Sequence, residues 1–139
     1  MTSDQDLYNE LAYYTLSHPD PSFLHQNIVD AYTAQHATEH TKPIAVVFAL
    51  IGLYLYLEKN FTGKQVQRIH MQLGTPRRKW PQLTPPRERG AITVSAVMAA
   101  SPGKERDEMI RNWCASVWEA WQASHDQIRG LAKEEAGIH

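Results

Sequence analysis

One cysteine, Cys114, stands in a chain of 139 residues, so no disulfide can form within it and a reducing compartment is expected. Several signature loops are missing as well: there is no G-x-x-x-x-G-K-S/T, no G-x-G-x-x-G, no G-x-S-x-G and no C-x-x-C. P-loop nucleotide hydrolysis, Rossmann chemistry and thioredoxin-type redox therefore have nothing to rest on. The longest uncharged apolar run, Ile44–Leu57, has fourteen residues, short of the roughly 20 that cross a bilayer. Met1–Asp6 has neither the basic nor the apolar region of a signal peptide, and a cytoplasmic protein is expected. No convincing alternating β pattern occurs; the β-branched stretch Gly90–Val97 comes nearest.

What is present points to one all-α domain over residues 1–139, a bundle of about five to six helices. Leu7, Leu11 and Tyr14 recur at helical spacing over Asp4–Ser17, with Ser3 or Asp4 as cap and two prolines, Pro19 and Pro21, as the stop. A second helix is read from about Ser22 to His36. Pro43 suits the first turn of a third, reaching about Asn60 and apolar nearly all round, hence central. Thr62 caps a short fourth helix over Gly63–Leu73, and Thr93 caps another to about Ala100. A long last helix, about 102–134, carries a stripe from Met109 through Trp113, Val117 and Trp121 to Ile128, with residues 130–139 fraying. Trp113, Trp118 and Trp121 are expected to cluster with Tyr54 and Tyr56. Between these helices, residues 75–91 form a Pro/Arg-rich loop.

The histidines are the notable chemistry. His25, Tyr32 and His36 share one helical stripe, but His25 and His36 stand about 16 Å apart along the axis, too far to bind one ion together. His36-Ala37-Thr38-Glu39-His40 matches H-x-x-E-H, a metalloprotease string, at a point where the helix is ending. His70 lies among Val66, Ile69 and Leu73 and faces inward. The metal reading takes His25, His36, His40 and His70 as ligands of a divalent ion (Zn, Fe or Cu), with Glu10 as a further carboxylate. The competing reading makes them core hydrogen-bonders. Cys114 has no basic neighbour and is not offered as a nucleophile.

Charge is uneven around a net value of −1. Residues 1–30 carry Asp4, Asp6, Glu10, Asp20 and Asp30 and no Lys or Arg, whereas Lys64, Arg68, Arg77, Arg78, Lys79, Arg87 and Arg89 crowd residues 64–90. Tyr32, Arg77, Arg78 and Trp80 are candidate ligand contacts, since arginines beside a tryptophan suit phosphate or a base. The alternative is a solvated loop with Trp80 plugging the core. Asp30, alone in its helix, is a candidate partner for the basic stretch. Glu58 reads either as a site carboxylate or as a helix-end charge in water.

The segments His25–His36, Thr41–Ile44, Phe48–Leu55, Arg78–Pro81 and Trp113–Trp118 resemble an uncharacterised bacterial family carried as a domain of unknown function, over about residues 7–122. The resemblance implies no activity and no site residue. Three readings stand: metal or small-ligand binding through a histidine cluster; a non-enzymatic module that dimerises or binds a partner through its last helix; and phosphate or nucleic-acid binding through residues 77–89, disfavoured by the near-neutral charge. No membrane partner is expected, and enzyme activity is left open. On the metal reading, elemental analysis finds an ion near unit stoichiometry that is lost in the His36→Ala, His70→Ala double variant.

Overall fold

The computed structural model describes residues 3–18, 20, 22–74 and 79–139. Its hub is helix α3, Pro43–Glu58. Every residue from Ala49 to Tyr56 is buried, so α3 has no face to give to water and must be surrounded. Helices α2 (Leu24–Gln35), α4 (Gly63–Gly74), α6 (Lys104–Ala120) and α7 (His125–Ala136) all pack on it. Helix α1 (Asp4–Ser17) lies on α2, and the short α5 (Val94–Ala99) sits between α1 and α6. No strand occurs among the described residues, and the β-branched stretch near Val94 is helical.

The helix starts follow capping chemistry. Ser3 Oγ accepts the Asp6 N–H at 3.1 Å, and the Asp6 carboxylate accepts the Ser3 N–H at 3.4 Å. Thr62 and Gln65 make the same reciprocal pair at α4, at 3.2 and 2.8 Å. Pro43 opens α3 as its first residue. Helix α2 ends at Gln35, so His36 and His40 do not share a helical turn; His36 follows the helix and His40 lies in the turn beyond.

The single long last helix is the main correction. Trp121 is buried, with its indole N–H donating to the Ala34 carbonyl at 3.1 Å. The chain tightens there into a 3-10 turn over Gln122–Ser124 and emerges as α7 in a new direction. His125 folds back on Trp118, rings 3.7 Å apart, and donates through Nε2 to the Trp118 carbonyl at 2.7 Å. Ile128 and Ala132 are thereby buried against the bundle rather than carried past it. Residues 130–136, expected to fray, stay helical, closed by Gly137 at φ 69 and by the bond from the Ile138 N–H to the Ala132 carbonyl at 3.1 Å.

The aromatic cluster divides too. Trp118 packs on Tyr54 of α3, whereas Trp113 and Trp121 reach α2, donating to Gln35 and Ala34.

Helix α2 lies against bare backbone of α3 at Gly52. A Cβ there would strike the Asp30 carboxylate and press on Val66 at 3.2 Å. Gly52→Ala is therefore expected to lower unfolding stability by about 1–3 kcal/mol, read as a shift in the urea midpoint. An unchanged midpoint would mean that the two helices do not approach so closely.

Candidate functional site

The His25, Tyr32 and His36 stripe exists, and it faces α1. Thr15 Oγ1 hydrogen-bonds His25 Nδ1 at 3.0 Å. Tyr32 is stacked between Tyr8 and His36, each 4.1 Å away, and its hydroxyl donates to Gln5 Oε1 at 3.1 Å. His36 donates through Nδ1 to the Tyr32 carbonyl at 3.0 Å and brings Nε2 within 3.4 Å of Asp4. Three of the acidic residues near the N-terminus thus have local work: Asp6 in the α1 cap, Asp4 here, and Asp20 as acceptor of the Leu24 N–H at 3.3 Å at the start of α2.

His70 belongs to a different group. Its Nε2–H donates to the Phe48 carbonyl at 2.8 Å, which leaves Nδ1 to accept from Gln26 Nε2 at 3.3 Å. Burial lowers its pKa, and the Phe48 bond opposes this only in part. Gln26 also donates to Asp30 Oδ1 at 3.1 Å within α2, so its amide ties α2 to α4, and the His70 imidazole ties α4 to α3. His40 is exposed and lies 3.4 Å from Glu39. Among the described residues no three His, Cys, Asp or Glu side chains come together as a metal site requires. The candidate ligands His25, His36, His40 and His70 make separate contacts, with Thr15, Asp4, Glu39 and Phe48 respectively.

Among the described residues Asp30 has no cation partner. It is buried, and its Oδ2 has no hydrogen-bond partner among the described residues. Burial pushes its carboxyl well above the usual range, against the weaker pull of Gln26. Both side-chain polar atoms of Asn27 are buried and unpaired as well. Cys114 is buried beside them, with its Sγ 3.6 Å from the Asn27 carbonyl. Burial, with Asp30 adding to it, pushes that thiol far up, so it is inert. Glu58 is not a free charge in water. It accepts the Trp118 indole N–H at 2.8 Å and a two-pronged contact from Arg129 at 2.9 and 3.1 Å. Burial raises its pKa, but these bonds outweigh that and hold it below the usual value.

The proline-rich connection contributes most of an open cleft of about 870 Å³, between the turn at Thr38–His40 and residues 82–89. Gln35 positions its floor. Buried in α2, it donates to the carbonyls of Arg89 and Ile92 at 3.0 and 2.8 Å and accepts from Trp113 Nε1 at 2.9 Å. Arg89 answers with Nη1, which donates to the Ala37 carbonyl at 2.5 Å and to the Gln35 carbonyl at 3.4 Å. A cation at those carbonyls also complements the C-terminal end of α2. Among the described residues, Arg89 Nε and Nη2 have no hydrogen-bond partner. Leu83 and Pro85 supply an apolar wall, and Thr38, Thr84 and Gln82 supply polar groups. Trp80 packs edge-on against Phe48 at 5.3 Å, as a core plug would, beside Lys42 and Lys79. Arg77 and Arg78 lie outside the described residues. Sequence reasoning placed Arg89 in the basic run but could not single it out, because only contact with α2 distinguishes it from Arg87.

Asp30 has a measurable consequence. A carboxyl raised in the folded state stabilises fully below its unfolded pKa, and that contribution is lost as pH rises through the folded pKa. His25 and His70, both lowered by burial, act oppositely: their contribution is present above the unfolded value near 6.5 and is lost as pH falls through the folded pKa. Asp30→Asn is expected to remove the alkaline-side slope and to gain about 1–3 kcal/mol over wild type at pH 8. It should leave the acid-side fall in place. Urea unfolding at pH 5 and pH 8 checks this; a gain equal at both pH values would count against a raised Asp30.

The family model described as "Family of unknown function (DUF5946)" matches residues 4–122, which span α1 to α6 and the first residue of the 3-10 turn. No curated protein and no solved structure matches the chain. With most of its length inside that match, the chain belongs to DUF5946, a family of unknown function.

Proposed function

We propose that this chain is a small-ligand-binding module that takes an anionic molecule into the cleft between the Thr38–His40 turn and residues 82–89. The single observation that carries this reading is Arg89. Its Nη1 is fixed on two backbone carbonyls, while Nε and Nη2 meet no partner among the described residues at the cleft floor. A guanidinium held on one edge loses little further freedom when its other edge meets a carboxylate or phosphate. Thr38, Thr84 and Gln82 would bind further oxygens, and Leu83 with Pro85 would cover an apolar body. Glu39 at the rim is 3.4 Å from His40 and limits the positive field, so recognition rests on the Arg89 fork rather than on bulk charge. The reading is of binding and not catalysis, since the cleft offers no activated nucleophile and Cys114 is sealed in the core.

Amide chemical-shift titration with benzoate and with inorganic phosphate tests it. Shifts should gather at Thr38–His40 and Gln82–Arg89. Arg89→Gln should weaken the preferred anion about tenfold, worth roughly 1.4 kcal/mol. Arg89→Lys keeps the charge but loses the fork, and should be intermediate. Shifts scattered over the surface, or equal binding by the Gln variant, would end this reading.

A further inference from the structure

Helix α6 turns one side to water along its length, and that side is acidic. Glu105, Glu108, Asn112 and Glu119 are all exposed and recur at steps of three, four and seven residues. They share one stripe, about 21 Å from Glu105 to Glu119 at the helical rise. The chain over residues 88–100 runs back along this stripe as a facing wall. Two contacts hold that wall in place. Gly90 lies so close to α6 that a Cβ there would come within 2.9 Å of the Ser116 carbonyl oxygen. Arg106, buried in α6, donates to the carbonyls of Met98 and Ala100 at 3.2 and 3.0 Å and so fixes the end of α5. Between wall and stripe runs an open groove. One part, about 530 Å³, has Ala96, Ala99, Ala100 and Met109 as its apolar lining, with Glu105 and Glu108 beside them. The next part, about 300 Å³, lies between Glu119 and Glu88.

The carboxylates of this groove are unanswered. Among the described residues Glu88, Glu105, Glu108 and Glu119 form no ion pair. The cations of α6 do not serve them. Arg106 is engaged on its carbonyls, Arg111 lies over the Tyr56 ring at 4.9 Å, and Lys104 forms no ion pair among the described residues. Helix stability accounts for only part of the stripe. Glu105 and Glu108 suit the N-terminal end of α6, but Glu119 lies in its last turn, where negative charge opposes the helix dipole. We propose that the groove docks a basic amphipathic helix of a partner protein. Charge selects that occupant: lysine or arginine side chains answer the four carboxylates, and an apolar side covers Met109 and the alanines. Length and spacing select a helix. About four turns match the stripe, and cations at steps of three, four and seven residues lie on one side of such a helix. The short side chains of Ala96, Ala99 and Ala100 let its backbone come close.

The probe is a synthetic helix of about 14 residues with leucine on one side and lysine on the other. Amide shifts of the full chain are followed as it is added at about 0.15 M salt. Saturable shifts should gather at residues 88–100 and 105–120. Glu105→Gln combined with Glu108→Gln should weaken binding about tenfold, and Ala99→Lys, which sets a cation in the groove, at least as much. Glu134→Gln, on the exposed side of α7, should leave binding unchanged. All four positions are exposed, so the variants keep the fold, as circular dichroism should show. A second peptide with alanine in place of leucine keeps the charge and the helix, and should bind about tenfold more weakly or worse. Equal binding of the two peptides would reduce the groove to bulk charge attraction and overturn the proposal. Shifts gathered at the acidic N-terminal residues, or binding unaltered in the glutamine pair, would overturn it as well.

Discussion

The burial of α3 on all sides is the constraint on which the rest depends. A helix with no polar face cannot lie at a surface, so α2, α4, α6 and α7 must enclose it. Their own sequences are amphipathic and supply one apolar face each. The tight approach of α2 is made possible by Gly52, where the Asp30 carboxyl lies against bare backbone. Asp30 Oδ2 there, and the Asn27 amide elsewhere in α2, have no partners among the described residues, a cost of order 1–3 kcal/mol for each unsatisfied group. Burial lowers the pKa of His70 and raises that of Cys114.

Polar side chains in this bundle act mainly as ties between helices. Gln26 links α2 to α4 through His70, and Gln35 links α2 to α6 and to the segment at Arg89 and Ile92. His25, Tyr32 and His36 close the seam with α1. An imidazole with both nitrogens engaged has no lone pair to offer an ion without breaking a bond, which is the state of His70. Ligand chemistry is accordingly favoured where the chain is irregular and its groups are not consumed. The cleft beside residues 82–89 is such a place, and Arg89 there is anchored on one edge only.

The C-terminal region follows the same logic. Trp121 is fixed by the Ala34 carbonyl, and the turn after it brings α7 over α3, where Glu58 receives both Trp118 and Arg129.

The sequence by itself determined the all-α class, the central helix from Pro43, the capped starts at Ser3 and Thr62, and the inward face of His70. Each of these follows from local chemistry: periodicity, capping oxygens, and proline at a first turn. It also marked the His25–Tyr32–His36 stripe, since spacing fixes which side chains share a face. Only the tertiary structure decided what that stripe meets, that Asp30 is buried with no cation partner among the described residues, that Arg89 and not Arg87 lines a cleft against α2, and that the last helix bends at Trp121. Those outcomes depend on which helix lies opposite. Residues far apart in the chain, such as Glu58 and Arg129, come together only once α3 has been enclosed.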